Sequence, residues 1–95
     1  MGVYSTKLID AGGTYEGGYT SEIYAPNTRS NTREPQGIIQ VDITSGTVDI
    51  EGRLNDEATW QVIKNYTESK IEGILLPYQL RAVVSGSAKV FVGEQ

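Results

Sequence analysis

The chain has 95 residues, a formal net charge of −4, and neither cysteine nor histidine. This length makes one domain, and the two missing residue types exclude disulfides, thiolate metal sites and the commonest general base. The acidic charge argues against nucleic acid as a partner, and no apolar run approaches the roughly 18 residues that indicate a membrane-spanning helix. We therefore expect neither an enzyme nor a protein that binds nucleic acid or membranes.

Residues 1–36 are predicted to form an N-terminal arm and loop, because they are rich in glycine and tyrosine and hold few periodic apolar positions. Short strands are predicted only at residues 8–9 and 23–24, and the polar run over residues 26–36 predicts a loop. Tyrosine contributes a large contact area with few rotatable bonds, so the arm is expected to dock on other chains. The tyrosines assigned to that contact are Tyr4, Tyr15, Tyr19 and Tyr24.

Residues 37–95 are predicted to form the core domain, because apolar and polar residues alternate there with the period of a strand. A hairpin is predicted over residues 38–51, closed at Ser45 and Gly46. A second hairpin is predicted over residues 80–92, with its turn at residues 85–87. The first hairpin is expected to bury Val41, Ile43, Val48 and Ile50. The second exposes two apolar residues on its outer face, and these are assigned to partner binding: Val83 and Phe91.

Between the two hairpins, strands are predicted at residues 59–64 and 71–76, and a single helical turn at residues 55–58 with Asn55 or Asp56 as its cap. Trp60 lies in an alternating apolar segment and is assigned to the core. The sequence therefore predicts an all-β protein, a small antiparallel β-sandwich with an extended N-terminal arm.

The first hairpin would place Asp42 opposite Asp49, with Glu51 nearby, and like charges directly across a strand pair are destabilising. Bound Ca²⁺ is one interpretation of this cluster. A solvated face, or neutralisation by Arg53, Arg81 or a partner, is favoured because flat strands do not wrap around a cation. Paired carboxylates also occur in glycoside hydrolases, but no cleft is indicated. No catalytic, cofactor-binding or metal-binding residue is predicted.

Residues 41–92 contain in order the segment GTVDIEGR, a strand with a tryptophan, and the segment RAVVSGS. This composite pattern resembles the small virion proteins of tailed bacteriophages, and the resemblance covers slightly over half of the chain. The matching positions are Gly46, Thr47, Val48, Glu51, Gly52, Arg53, Trp60, Arg81, Val84, Ser85 and Gly86.

The resemblance implies a compact antiparallel sandwich and a place in the virion, reached after synthesis in the host cytoplasm. The leading expectation is a capsid decoration (cement) protein that docks on the capsid as a homo-oligomer. A small core and an apolar outer face agree with this, because such a protomer completes its burial against other chains. The alternatives are a neck or tail adaptor, a tail fibre module or, from another class, a carbohydrate-binding module that uses Trp60 and exposed tyrosines.

Overall fold

The computed structural model describes residues 4–12, 18–25 and 36–94. Within these ranges the chain is all-β, and the predicted fold class is confirmed. All six strands belong to one antiparallel sheet. The described residues include no helix that is long and apolar enough to cross a membrane. The strands are β1 (Tyr4–Ala11), β2 (Tyr19–Thr20), β3 (Gln36–Arg53), β4 (Gln61–Tyr66), β5 (Lys70–Leu75) and β6 (Gln79–Glu94).

The two longest strands, β3 and β6, form the centre of the sheet. They pair from Gly37 opposite Glu94 to Arg53 opposite Gln79. Two strands pair with the other side of β3: β5 with the N-terminal part of β3, and β4 with the C-terminal part of β3. Two strands likewise pair with the other side of β6: β1 with residues 88–94 of β6, and β2 with residues 83–84. The sheet therefore has two continuous inner rows and two interrupted outer rows.

Both inner rows bend at the same level, where Gly46 lies opposite Gly86. The two glycines have positive φ angles of 83° and 120°. A Cβ atom at Gly46 would collide with the carbonyl oxygen of Ser85, and one at Gly86 would collide with that of Ser45. Because other residues are strained at positive φ and no side chain fits between the strands here, this bend requires glycine on both rows.

The bend divides the sheet into two halves. The β5 half contains β1, β5, residues 36–43 of β3 and residues 88–94 of β6. The β4 half contains β2, β4, residues 47–53 of β3 and residues 79–85 of β6. The outer rows are interrupted at the level of the bend, so only the inner rows run from one half to the other.

The two predicted hairpins are wrong, because β3 runs without interruption through Ser45 and Gly46, and β6 runs through residues 85–87. The two Ser-Gly segments face each other instead of each closing a turn. The register shift between Ile43 and Ser45 marks Thr44 as a β-bulge, and a bulge switches the alternation from one parity to the other just as a hairpin turn does. A hairpin and a continuous strand with one bulge therefore produce the same pattern of apolar residues in the sequence.

The predicted buried face is largely confirmed. Val41, Val48 and Ile50 are completely buried, and Ile43 is half-buried against the core. The other completely buried side chains also come from the inner rows in both halves: Ile39, Leu80, Ala82, Val84, Val90 and Val92.

The two halves share one hydrophobic core. β5 ends in one half and β6 begins in the other, and residues 76–78 make this connection. Within it, Leu76 lies beside Gly37 in the β5 half and Pro77 lies beside Gly52 in the β4 half. The connection therefore contacts the central strand β3 in both halves. All described strands nevertheless belong to a single hydrogen-bonded sheet, and the sandwich arrangement stays a prediction.

Before β3, the described strands β1 and β2 and the bridge at Tyr24 pair with β6 of the same chain. The strand predicted at residues 8–9 lies within β1, which has a bulge at Leu8. At residues 23–24 only Tyr24 forms a bridge, opposite Leu80, and the second N-terminal strand is β2. The loop predicted over residues 26–36 lies, apart from Gln36, outside the described residues. The division into an arm and a core domain stays a prediction.

The elements predicted between the inner strands are present. β4 and β5 lie within two residues of the predicted strands. At residues 55–58 the chain makes a single turn, in which the Oδ1 atom of Asn55 accepts hydrogen bonds from the backbone N–H groups of Glu57 (2.9 Å) and Ala58 (3.1 Å). Asn55 is therefore the cap of this turn, one of the two residues predicted for that role.

Candidate interaction surface

The outer face of the β5 half carries a group of large apolar residues, with the exposed polar residue Gln40 between two of them, Ile71 and Phe91. Ile38 lies at its centre, with Gly73 and Gly93 directly opposite it on the neighbouring strands. Glycines leave the centre uncovered, and the diagonal positions on both neighbouring strands hold large apolar residues within side-chain reach. We call this surface the outer patch. It consists of Ile38, Ile71, Leu75 and Phe91.

The outer patch is accessible to solvent. Ile71 and Leu75 are 61% and 60% exposed, and Ile38 and Phe91 are half-buried. The opposite, inner face of the same strands forms the core. An antiparallel sheet usually has one apolar face and one polar face, so large exposed apolar residues on the outer face make this half a candidate for binding another protein.

Charged residues border the outer patch on one side. Lys7 lies opposite Phe91, and the next row contains Asp10, Lys89 and Asp42 on three adjacent strands. Lys7 and Asp10 also form a salt bridge of 3.4 Å. An apolar centre with a polar, charged border is the composition found in protein–protein interfaces.

The apolar surface continues around the edge of β5. An open groove of about 500 Å³ lies there, lined among others by Ile63 of β4, by Leu75 and by Pro77. Val62 and Ile63 are also largely exposed, at 54% and 41%. The outer patch and this groove share Leu75, so a partner that covers one also reaches the other.

Trp60 was predicted to lie in the core, and this is wrong. It is half-buried on the outer face of the β4 half, where the guanidinium carbons of Arg53 and Arg81 each lie 4.4 Å from the centre of an indole ring. The loop before β4 returns over the face from which both arginines project. Trp60 precedes β4, and this strand, which is bulged at Ile63, does not show the alternating burial that the sequence predicts.

Hydrogen bonds fix the two arginines beneath the indole ring. The Nε atom of Arg81 donates to Glu51 (2.7 Å), and the Nε atom of Arg53 donates to Gln79 (2.7 Å). Gln79 in turn donates to Asp56 (2.9 Å) in the turn capped by Asn55. The tryptophan is held by cation–π contacts, and the arginines cover part of the ring surface on which a sugar would stack.

The carboxylates that suggested a metal or hydrolase site do not face each other. Asp42 lies opposite Lys89, and Asp49 lies opposite Val83 and accepts a hydrogen bond from Asn65. The predicted repulsion is therefore wrong, because it depended on the hairpin. In the part of the chain that the structure describes, no three acidic side chains are grouped closely enough to hold a metal ion.

A polar contact joins the two halves on the side of β4 and β5. The hydroxyl of Tyr66 in the β4 half donates to Oε2 of Glu72 in the β5 half (2.6 Å), and Nζ of Lys64 lies 3.4 Å from the same oxygen. Burial, the hydrogen bond to Glu72 and its negative charge raise the pKa of Tyr66 well above its usual value. The hydrogen bond from Tyr66, more than the nearby lysines, lowers the pKa of Glu72. We call these three residues the clasp.

Sequence analysis did not identify the clasp or most of the outer patch. Both depend on β4 and β5 flanking the same strand, which no local pattern indicates. Glu72 and Lys64 are polar residues on the inner face of edge strands, and this face can be assigned only when the pairing with Ile39 and Ile50 is known.

Of the six residues assigned to partner binding, the four whose side chains the structure describes do not form one surface. Phe91 belongs to the outer patch, whereas Val83 is half-buried on the outer face of the β4 half. Tyr19 and Tyr24 pack against the core, and the hydroxyl of Tyr19 donates to the carbonyl oxygen of Gly12 (2.7 Å). Tyr4 begins β1, and its side chain, like the whole of Tyr15, lies outside the described residues. Their role in binding stays a prediction.

No protein-family model, curated protein or solved structure matches the chain. Several positions of the bacteriophage-like pattern have structural roles in this fold. Gly46 and Gly86 form the bend, and the charged and aromatic positions form the network around the indole ring: Glu51, Arg53, Trp60 and Arg81.

Proposed function

We propose that this protein is a structural subunit that binds other protein surfaces through its outer patch. The observation that supports this is the outer face of the β5 half, where the large apolar residues Ile71 and Leu75 stay more than half exposed among the described residues. Covering exposed apolar surface contributes about 25 cal/mol per Å². A flat sheet face with a charged border suits a broad protein surface better than a small ligand.

Within this class we propose a virion role, as a capsid decoration protein that docks as a homo-oligomer. The support for the virion is the resemblance of residues 41–92 to small bacteriophage structural proteins, and the support for docking is the outer patch. A neck or tail adaptor is the nearest alternative. The two differ in copy number, because decoration repeats over the whole capsid whereas an adaptor forms one ring at a single vertex.

The binding test compares two leucines of similar exposure. Leu75 lies in the outer patch, and Leu54, 65% exposed, lies in the loop after β3 in the other half. Leu75→Glu should weaken binding to capsids by about tenfold or more, because a carboxylate would be buried against an apolar surface. Leu54→Glu should bind as the unchanged protein does. Co-sedimentation with capsids from a phage that encodes this chain measures both.

Antibody labelling in electron micrographs of the same virions then gives the position. Label over the capsid surface supports decoration, and label at one vertex supports the adaptor. The proposal is wrong if the protein is absent from virions and does not co-sediment with them. Glycan-array binding that Trp60→Ala abolishes would support the carbohydrate-binding alternative instead.

A further inference from the structure

The three longer edge strands differ in regularity. β1 is bulged at Leu8, and β4 is bulged at Ile63, since the register shifts between the pairs of Ile50 and Glu51. β5 pairs with β3 without any shift from Lys70 to Leu75. Bulges are one of the features by which proteins prevent edge strands from pairing with other chains. Of these strands, β5 is the one that keeps a regular edge.

The second edge of β5 pairs with no described residue. The strand has the sequence KIEGIL, without proline, so each of its residues has a backbone N–H group. Lys70 is exposed and forms no salt bridge with a described residue, and Glu72 is half-buried two positions further along the same face. Among the described residues, the edge therefore has backbone groups without a strand partner next to side chains of opposite charge.

We infer that β5 pairs in antiparallel orientation with β5 of a second copy of this chain. This inference rests on the proposed function, because it specifies the contact by which the homo-oligomer forms. The partner must present complementary charges at the same spacing. A second copy does so, because an antiparallel strand of the same sequence presents lysine and glutamate in reversed order.

The charges select one register. A two-fold axis perpendicular to the sheet keeps inner residues opposite inner residues, so the axis passes through a residue. An axis at Ile74 leaves Lys70 and Glu72 outside the paired residues of β5, so the positions to compare are Ile71, Glu72 and Gly73. An axis at Glu72 places two glutamates directly opposite each other, and one at Gly73 places Glu72 opposite Ile74. An axis at Ile71 places Lys70 opposite Glu72 of the second copy, twice, and is therefore favoured.

The existing contacts of Glu72 are compatible with this register. Tyr66 and Lys64 both contact its Oε2 atom, which leaves Oε1 to accept from Lys70 of the second copy. On the outer face, the two copies of Ile71 meet at the axis. The two outer patches then lie side by side across the dimer, and together they form the surface that the proposed function places against the capsid.

Single-cysteine variants test the register directly, because the chain has no cysteine of its own. In Ile71→Cys the two thiols lie directly opposite each other, with Cα atoms about 4.5 to 5.5 Å apart, a distance that a disulfide spans. In the control Leu75→Cys, with equal exposure on the same face, the two sites are about 27 Å apart. Mild oxidation should cross-link the first variant into a dimer and leave the second largely monomeric on a non-reducing gel.

A charge pair of variants tests the reason for the register. Lys70→Glu places like charges opposite each other twice and should raise the dissociation constant of the dimer by about tenfold, as measured by sedimentation velocity. Lys70→Gln removes the attraction without adding repulsion and should have a smaller effect. Equal effects of the two variants would contradict the predicted register.

The outcomes separate this inference from the proposed function. If the unchanged protein is a dimer but Ile71→Cys cross-links no faster than Leu75→Cys, the β5 contact is wrong and the proposed function stands. If the protein is monomeric at concentrations up to about 100 μM, both the β5 contact and the homo-oligomer are wrong. Binding of the outer patch to capsids is measured separately by the Leu54 and Leu75 variants.

Discussion

The two halves of the sheet are built on the same two strands, but their outer faces differ in how far they are covered by the rest of the chain. In the β4 half the loop before β4 returns over the outer face, and Trp60 covers Arg53 and Arg81 there. In the β5 half no described segment returns, and Ile71 and Leu75 stay exposed. One half is thus completed within the chain, whereas the other presents an apolar face that a partner can complete. The difference arises from the connecting segments and not from the central strands.

The largest effect is expected from changing the bend that separates the halves. Gly46→Ala should lower the free energy of unfolding by about 3 kcal/mol or more, because the new Cβ atom combines positive-φ strain with a collision against the carbonyl oxygen of Ser85. Urea denaturation measures this. The matched control is Gly73→Ala, whose Cβ atom would have only ordinary contact with Gly37, and it should change stability by less than about 0.5 kcal/mol. Similar losses in both variants would show that the bend is not a special site.

A smaller effect is expected from uncovering the outer face of the β4 half. Trp60→Ala removes two cation–π contacts and part of the cover of the sheet, and should reduce stability by about 2 kcal/mol. Phe91→Ala, at a half-buried site in the other half, should cost about 1 kcal/mol, because Phe91 lies in an uncovered patch. Thermal and urea unfolding of both variants compare the two faces. If Phe91→Ala cost more than Trp60→Ala, the β5 half would be the better covered one.

The smallest effect is expected at the clasp, which holds the halves together on one side. The pKa of Glu72 is lowered in the folded protein, so its contribution to stability is present above the ordinary glutamate pKa of about 4.3 and is lost as the pH falls through the lower, folded value. The stability advantage of the unchanged protein over Glu72→Gln should therefore shrink below about pH 4. Urea midpoints between pH 3 and 7 measure it. Tyr66→Phe removes the main cause of the lowered pKa of Glu72 and should weaken this pH dependence. If the urea midpoints of the unchanged protein, Glu72→Gln and Tyr66→Phe changed in parallel with pH, the role of the clasp would be contradicted.

The sequence was sufficient to predict the all-β class and most of the buried residues, because the alternation of apolar and polar residues is a local pattern. It was insufficient for the connection of the strands. A bulge at Thr44 and a hairpin turn at Ser45 and Gly46 produce the same switch in alternation, and the two are distinguished only by which distant strand lies opposite. Of the candidate site, Phe91 was identified from its strand. Ile38, Ile71 and Leu75 were not, because the patch they form depends on β5 lying beside β3.

The continuity of β3 and β6 through the bend also affects how the chain folds. The nearest residues paired in these strands, Arg53 and Gln79, are 26 positions apart, so the central pair is not a tight hairpin. The most local pairing, Gly52 with Gln61, lies in the β4 half, whereas β1 reaches its place in the β5 half by closing nearly the whole chain. Because loop closure over long separations is slow, the β4 half should become ordered first, and pulse-labelled hydrogen exchange would report that order. During synthesis β1 and β2 are made early but have no strand to pair with until β6, the last strand, is complete.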